Sequence, residues 1–268
     1  MKALIVNCSP VKTGATAEIA SIIEKEISTR YDTKCICIDD YDFKFCKGCR
    51  SCHVTAKCVM DDDIFKIMGM FSDADIIVSV SPSYWADIPG QYKSFIDRCT
   101  PWCDTHEPHA SIGEEISTRY DTKCICIDDY DFKFCKGCRS CHSTAKCVMD
   151  DDILKIMNEF ENADVIVSVS PSYWADIPGQ YKAFIDRCTP WCDTHEPHAS
   201  IRGGKKGYTV ALRTGPGMHE CDRIIQSIEH FYGHLHIECS GHLGLTSIEY
   251  KENVEPRKQE IIEFCKNI

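Results

Sequence analysis

The sequence predicts an α/β protein with a flavodoxin-like, doubly wound parallel sheet in the strand order 2-1-3-4-5. Short apolar runs alternate with longer segments whose apolar residues recur at helical spacing. Strands that alternate with helices need crossover connections, which are right-handed and produce parallel sheets. A long internal repeat interrupts the pattern, and five strands remain when one copy is set aside. Five parallel strands fit the flavodoxin-like order.

The repeat consists of a first copy, Glu26 to Ile112, and a second copy, Glu115 to Ile201, which differ at only eight positions. A solenoid would show shorter periods and at least three units, so we interpret the repeat as one internal duplication. Three parts are therefore expected. Residues 1–112 form the N-terminal part with the first copy, 115–201 are an inserted or swapped half-fold, and 202–268 complete the domain.

The first predicted elements are a buried strand and a helix, joined by a loop rich in hydroxyl groups. "KALIVNC" is the apolar strand, and the helix places its isoleucines on one face. The loop "SPVKTGAT" brings Ser9, Thr13, Gly14 and Thr16 to the N-terminus of that helix. The free N–H groups and the helix dipole can hold a phosphate there. An ordinary strand-to-helix turn with a threonine cap is the alternative.

Each copy of the repeat predicts two strands and two helices. "TKCICID" is an edge strand and "DIIVSVSPSYW" a continuous buried strand. Asp61 to Asp63 supply N-caps and dipole-compatible charge to the helix that follows. The apolar faces of the two helices comprise Ile64, Ile67, Met68 and Phe71 in one, and Tyr92, Phe95, Ile96 and Cys99 in the other.

The last part predicts the strand "GYTVALRT", the helix "HECDRIIQSIEHFYGH", the strand "LHIECSGHLGL" and a terminal helix near Pro256 to Phe264. In this fold the ligand lies beyond the carboxyl ends of the strands, where the strand order reverses. Three loops meet at that point: the hydroxyl-rich loop, the aromatic loop "SPSYWADIPG" and the glycine-containing loop "RTGPGMHE".

The aromatic and glycine-containing loops suit a planar ring. Tyr84 and Trp85, or their duplicates in the second copy, can flank such a ring, although aromatic residues in loops more often pack against the protein. The glycines after Thr214 let the backbone approach a ring edge. Glu220 stands where a dinucleotide fingerprint needs its third glycine, so the loop is not that motif.

The cysteine segment "FCKGCRSCHVTAKCVMDDD" is the sharpest signal, and the second copy repeats it with one change. Three cysteines follow at three-residue steps and a fourth lies close by. Iron–sulfur clusters use such compact runs, whereas structural zinc usually takes two separated pairs. Zinc and metal-free thiols remain the alternatives. Cys103, His106 and His109, with their duplicates Cys192, His195 and His198, also have ligand-like spacing, but a solvated loop is the favoured interpretation.

Composition limits the class of protein. The net charge of −11 argues against a nucleic-acid or anionic-membrane partner, since both need clustered Lys and Arg. The apolar run at the start is too short for a signal peptide, and nothing later approaches a membrane span. We therefore expect a cytoplasmic protein. Its 20 cysteines are then metal ligands or small buried residues rather than a disulfide framework.

The sequence resembles the iron–sulfur flavoproteins, within the wider NADPH-dependent FMN reductase group. The resemblance rests on "NCSPVKTGAT", "CKGCRSCHSTAKCVMDDD", "SPSYWADIPGQYKAFIDR" and "ALRTG". It implies FMN and a 4Fe–4S cluster. For the FMN phosphate it implies Ser9, Val11, Thr13, Gly14, Ala15 and Thr16. For the FMN ring it implies one of two aromatic loops, either Pro82, Ser83, Tyr84 and Trp85 or Pro171, Ser172, Tyr173 and Trp174. The loop with Thr214 and Gly215 also contacts the ring in this interpretation. For the cluster it implies Cys46, Cys49, Cys52 and Cys58, or Cys135, Cys138, Cys141 and Cys147.

The resemblance also implies the activity: an oxidoreductase that relays electrons between a donor such as NAD(P)H or ferredoxin, FMN, the cluster and an unknown acceptor. Family members are homo-oligomers. The alternatives are a cluster-free FMN or quinone reductase with structural or zinc-binding cysteines, and a non-catalytic electron carrier. Because the phosphate loop occurs once, we expect one FMN site, completed by the first copy. The second copy then needs a sheet partner, and domain swapping is one solution.

Overall fold

The computed structural model describes residues 2–55, 57–102, 123–249 and 251–268. The chain divides into two compact units. The first unit comprises Met1–Cys103, Lys133–Arg139 and Gly179–Arg187, and the second comprises Asp104–Phe132, Ser140–Pro178 and Cys188–Ile268. Two pieces of the second copy therefore belong to the first unit. The junction between the copies, with Cys103, His106 and His109, lies outside the described residues.

The sheet of the first unit has three parallel strands in the order β2-β1-β3. The central strand β1 (Lys2–Asn7) is buried from its second residue onward, as its apolar sequence predicts. It pairs with β2 (Asp32–Cys37) and β3 (Ile76–Val80), so that Ile5 lies opposite both Cys35 and Val78. The order 2-1-3 of the flavodoxin-like fold is thus present.

Among the described residues of this unit, five helices accompany the sheet, and one of them comes from the second copy. The helix α3 (Ile64–Asp73) buries Ile64, Ile67 and Met68, which confirms its predicted apolar face. Phe95 of α4 packs in the same core. The five helices are α1 (Ala15–Ile27), α2 (Ser51–Thr55), α3, α4 (Gly90–Arg98) and α7 (Gly179–Arg187).

The second unit has its own parallel sheet, in the order β4-β5-β6. The strand β4 (Val165–Pro171) comes from the second copy and pairs with β5 (Lys206–Leu212), which pairs with β6 (Glu238–Leu245). The helix α8 (His219–His234) packs on this sheet through Ile224, Ile228 and Phe231. The other helices are α5 (Cys141–Thr144), α6 (Ile153–Asn162) and α9 (Lys258–Lys266). Single 3₁₀ turns occur at Ile38–Asp40, Thr100–Trp102, Ile127–Asp129, Thr189–Trp191, Lys251–Asn253 and Glu255–Arg257.

The α/β class and the parallel, doubly wound strands are confirmed, but the strands divide between two sheets instead of forming one of five. The strand β5 pairs with β4 of the second copy and not with β3. The counterpart of β2 in the second copy was expected to be a strand, yet residues 123–126 have irregular backbone. The reason is that β2 pairs with β1, which the chain contains only once. Among the described residues, none of the helices combines the length and apolar character needed to cross a bilayer.

Candidate functional site

The hydroxyl-rich loop forms a tight turn between β1 and α1. The buried Ser9 donates its N–H to Oδ1 of Asn7 at 3.1 Å and accepts the N–H of Val11 at its Oγ, also at 3.1 Å. The N–H of Gly14 bonds to the carbonyl of Val11 at 3.3 Å, and no side chain caps α1 at Gly14. The first turn of α1 therefore presents backbone N–H groups to a ligand, which fits a phosphate.

The aromatic loop places its tryptophan in a strained turn. Tyr84 and Asp87 exchange two backbone hydrogen bonds of 2.7 and 2.9 Å around Trp85 and Ala86, which have φ of 51° and 57°. Two successive left-handed residues are typical of a type I′ turn, which usually contains Gly or Asn. Trp174 and Ala175 repeat the conformation in the second copy, with φ of 53° and 60°. Strain of this kind concentrates at functional sites, and residue preferences alone did not predict it.

In the first unit, part of the second copy's cysteine segment packs against these two loops. A Cβ built on Gly137 would lie 2.6 Å from Oη of Tyr84 and 2.6 Å from Cγ2 of Val11. Only glycine fits there, and its φ of 61° is left-handed as well. Burial, followed by the charge of the nearby Cys135, raises the pKa of Tyr84 to about 12. Tyr84 therefore stays protonated and can donate a hydrogen bond.

The glycine-containing loop lies in the second unit, beside the second copy's aromatic loop. Oγ of Ser172 donates to Oε2 of Glu220 at 2.6 Å, and Arg213 reaches Oε1 of the same carboxylate at 3.0 Å. The guanidinium of Arg213 lies against Gly215, whose carbonyl accepts the N–H of Ser247 at 3.0 Å. The structure thus brings the hydroxyl-rich loop to Pro82–Trp85 in one unit, and the glycine-containing loop to Pro171–Trp174 in the other. Sequence reasoning did not assign a role to Glu220.

The four cysteines of the first copy lie around one cavity. Cys46, Cys49, Cys52 and Cys58 line a space of ≈ 310 Å³, including its opening to solvent. The segment coils because Gly48 and Arg50, on either side of Cys49, both have φ of 59°. Four cysteines around one cavity supply the number of thiolates that an iron–sulfur cluster takes, although within the described residues no three of these sulfur atoms lie within 4.8 Å of one another. Gly48 is a signal visible in the sequence, whereas the left-handed Arg50 is not.

The thiols of this cavity differ in acidity. Burial raises the pKa of Cys46 to about 11, against the opposing effect of a hydrogen bond from the N–H of Gly48. The pKa of Cys49 is lowered, chiefly because the N–H of Ser51 hydrogen-bonds to its sulfur. Without metal, Cys46 is therefore a neutral thiol at pH 7, and metal binding must displace its proton.

Arg98 lines the cavity together with Lys47 and Arg50 and supplies its buried positive charge, a role that sequence reasoning missed. Its side chain is 1% exposed and holds Asp62 by two hydrogen bonds of 2.8 and 2.9 Å. A third bond, of 2.7 Å, reaches the carbonyl of Lys44. Within the described part of the chain, the buried Nε of Arg98 has no hydrogen-bond acceptor. A buried N–H without an acceptor in a cavity of thiols fits an anionic sulfur ligand.

The second cysteine tetrad is divided between the units. Cys135 and Cys138 belong to the first unit, and Cys141 and Cys147 to the second. Its local backbone repeats that of the first copy, with Gly137 at φ 61° and Arg139 at φ 57°.

The two histidines of the weaker candidate group in the second copy hold their loop by hydrogen bonds. Both ring nitrogens of His195 bond to carbonyl oxygens, of Pro197 at 3.0 Å and of Thr189 at 2.9 Å. His198 bonds to the carbonyl of His195 at 3.1 Å. These histidines fix the loop and do not form a ligand set with Cys192. Cys8, which ends the apolar run "KALIVNC", is fully buried in the core.

Replacing Arg98 with methionine should destabilise the first unit by about 3 kcal/mol at pH 7, because it leaves the largely buried carboxylate of Asp62 without its cationic partner. Burial tends to raise the pKa of Asp62, but hydrogen bonds from Arg98 and from the N–H of Lys44 outweigh it and the pKa is lowered. The contribution of the pair is therefore present above the unfolded-state pKa of about 3.9 and is lost as the pH falls through the lower folded-state pKa. Urea unfolding across this pH range measures it.

Lys66→Met is the matched control, since it breaks a solvent-exposed pair with Asp63 and should leave the free energy of unfolding nearly unchanged. A loss for Arg98→Met that is as large below pH 3 as at pH 7 would mean that packing, and not charge, is responsible.

Both a family model and curated relatives match this chain. The family model of the NADPH-dependent FMN reductases matches residues 1–113 and again residues 109–242. An iron–sulfur flavoprotein of Archaeoglobus fulgidus is 35% identical over 98 residues, which cover 37% of this chain and 48% of that protein. One of Methanosarcina thermophila is 34% identical over 135 residues, which cover 47% and 64%. The chain spans about half the length of the first curated relatives that it matches.

Two solved structures that match this chain have lower sequence identity to it than these curated relatives have. An FMN-dependent NADH-azoreductase of Bacillus anthracis in complex with FMN is 11% identical, covering 99% of this chain and 98% of that one, with a TM-score of 0.34. The Trp repressor binding protein of Bacillus subtilis is 17% identical, covering 44% and 70%, with a TM-score of 0.33.

Proposed function

Since the chain belongs to the NADPH-dependent FMN reductase family, we propose that it is an FMN-dependent oxidoreductase that relays electrons between a reduced donor, FMN and a 4Fe–4S cluster. The observation that carries the proposal is that Cys46, Cys49, Cys52 and Cys58 all line one cavity, in the unit that also holds the hydroxyl-rich loop. The relatives named iron–sulfur flavoproteins support the same cofactor pair.

The first unit supplies the FMN site. The N–H groups at the start of α1, after Gly14, bind the phosphate, and Ser9 holds the loop in shape through its bond to Val11. Tyr84 and Trp85 flank the ring and shield it from water. Bound FMN supplies hydride acceptance and one-electron release, while the protein sets position and potential. This assignment keeps the first copy in the single FMN site.

The cysteines of the first copy hold the cluster as thiolates. Arg98 offsets part of their negative charge and anchors the loop, since it bonds to Asp62 and to the carbonyl of Lys44. Positive charge and N–H donors near the sulfurs raise the reduction potential of such a cluster. A simple electron relay needs no general acid or base, and we assign none.

NAD(P)H or ferredoxin serves as the donor, with NADPH favoured by the family description. The chain works as a cytoplasmic homo-oligomer, in which a strand exchanged between subunits is one way of completing the sheets.

The test is anaerobic purification with flavin, iron, acid-labile sulfide and zinc measured per chain, followed by anaerobic titration with NADPH. We expect one FMN per chain, iron and sulfide in equal amounts, and bleaching of both chromophores by NADPH. Flavin without iron or sulfide would eliminate the cluster and leave a cluster-free reductase. Zinc in place of iron would make the cysteines structural.

A further inference from the structure

We propose that Cys192, Asp193 and His234 bind a structural Zn²⁺ ion, with His236 as the fourth ligand. The site belongs to the second unit, and it shares no residue with either cysteine tetrad or with the loops assigned to FMN. It does not depend on the proposed function.

The ligand atoms already lie close together. Sγ of Cys192, a carboxylate oxygen of Asp193 and a ring nitrogen of His234 are all within 4.8 Å of one another. Nδ1 of His234 is 2.6 Å from Oδ1 of Asp193, and Nε2 of His236 is 3.7 Å from Oδ2 of the same carboxylate. Small side-chain rotations convert these contacts into bonds to a central ion.

Two separate segments build the group, and both are fixed by backbone hydrogen bonds. Cys192 and Asp193 follow the Thr189–Trp191 turn, which the bond from the N–H of Ala199 to the carbonyl of Pro190 closes at 2.7 Å. His234 is the last residue of α8, and its carbonyl accepts the N–H of Asp193 at 3.3 Å. The ligands are therefore presented by ordered structure, as a metal site requires.

The electrostatics also favour a cation. The C-terminus of α8 carries the negative end of the helix dipole at His234, and the carboxylate of Asp193 lies beside it. Cys192 is only 5% exposed, so its buried sulfur would bind the metal on the side that faces the protein interior. Asp193 and His234 are partly exposed, at 32% and 26%, which leaves a path for entry.

The donor set favours zinc over calcium and magnesium. One thiolate, one carboxylate and imidazole nitrogens are the ligands that Zn²⁺ takes in tetrahedral sites. Calcium and magnesium prefer oxygen ligands alone, so a cysteine and histidines argue against them. Asp193 already pairs with His234, and Sγ of Cys192 lies 3.1 Å from Oγ1 of Thr194, so bound zinc would replace these contacts.

A second group, Cys141 with His142 and His195, is a weaker candidate. His195 already uses both ring nitrogens on carbonyl oxygens, and Cys141 is part of a tetrad. Bound zinc at the first group would join the loop after Thr189–Trp191 to the end of α8 and so stabilise the second unit.

The experiment uses the full chain after anaerobic iron–sulfur reconstitution, so that cysteines of the tetrads are occupied. Zn²⁺ binding is measured by competition with a chromophoric chelator. We expect one tight site per chain in the wild type. His234→Gln and Cys192→Ala should each weaken zinc binding at least about 100-fold. Loss of a residue that only hydrogen-bonds to a metal ligand already weakens binding about 10- to 100-fold, and loss of the ligand itself costs more.

His242→Ala is the matched control, because His242 is an exposed histidine paired with Glu229 outside the group. It should bind zinc like the wild type. Co²⁺ in place of zinc provides a second readout: its thiolate charge-transfer absorption should persist in His242→Ala and disappear in Cys192→Ala. His234→Gln keeps a hydrogen-bonding side chain at a partly exposed position, so it tests the site if Cys192→Ala fails to fold.

Equal zinc content and affinity in the wild type and His234→Gln would overturn the proposal. If the tetrads hold zinc instead of clusters, the total content rises, but His234→Gln should still contain one zinc fewer per chain. The test therefore separates this site from the proposed function.

Discussion

Replacing Cys46 and Cys52 together with alanine should remove one cluster's iron and sulfide from each chain and prevent cluster reduction by NADPH. All four cysteines of the first copy line a single cavity, so the double variant leaves only Cys49 and Cys58 as ligands. Two thiolates cannot hold a 4Fe–4S cluster, which takes four. Iron, sulfide and the visible absorption of the anaerobically purified protein measure the loss.

The repeat offers a control with almost the same local sequence. Cys135→Ala with Cys141→Ala makes the same change in the second copy and should leave the first tetrad's cluster in place. FMN content should be unchanged in the Cys46 and Cys52 variant, because neither residue belongs to the hydroxyl-rich or aromatic loops. Wild-type iron and sulfide in that variant would refute the assignment of the cluster to the first copy.

Local patterns in the sequence predict most individual elements of this fold. The helix α8 spans the same residues, His219–His234, as its predicted segment, and β1 is buried as its apolar run requires. Such elements depend on side-chain periodicity, which can be read from one continuous stretch of sequence. The pairing of strands from distant segments cannot be predicted from local periodicity.

Strand pairing illustrates the limit. Both β3 and β4 can pair with β5, because the two copies are nearly identical in sequence. The connection from β4 to β5 is between three and four times shorter than that from β3, which lowers the cost of loop closure by about 1 kcal/mol. A free-energy difference of this size can decide which of two near-identical strands pairs with β5. No local sequence motif indicates that choice.

Candidate site residues show the same division. The cysteine spacing indicates the cavity, and Gly14 indicates the turn before α1. Arg98 was not predicted, because its role depends on Asp62 and on the carbonyl of Lys44, which are 36 and 54 residues away. The same holds for Glu220, whose partner Ser172 is 48 residues away.

The packing of α4 against α7 joins the two copies within the first unit and has a near-symmetric form. A Cβ built on Gly90 would lie 2.5 Å from the backbone N of Ala183, and one on Gly179 would lie 2.5 Å from the backbone N of Ser94. The N–H of Gly90 donates to Asp186 at 2.7 Å, and that of Gly179 donates to Asp97 at 2.5 Å. Ala183 and Ser94 are equivalent positions of the repeat, so the two ends of this contact correspond.

Each aspartate of this contact is buried and also pairs with a lysine of its own helix, Asp97 with Lys93 and Asp186 with Lys182. Burial raises the pKa of Asp186, while Lys182 and the N–H of Gly90 oppose that rise. Separating the helices would remove one donor from each buried carboxylate. The contact therefore combines close backbone packing with hydrogen bonds that are costly to leave unmade.

Gly179→Ala should destabilise the first unit by about 2 kcal/mol or more, because the new methyl group meets backbone atoms that cannot move aside as a side chain can. Gly69→Ala is the matched control: Gly69 lies inside α3, and a methyl group there would have no atom within 4 Å, so alanine should stabilise by about 0.5–1 kcal/mol. Gly90→Ala should resemble Gly179→Ala, since it stands at the other end of the same contact. Urea unfolding of the three variants measures these changes, and an unaffected Gly179→Ala would show that α4 and α7 do not pack through these glycines in solution.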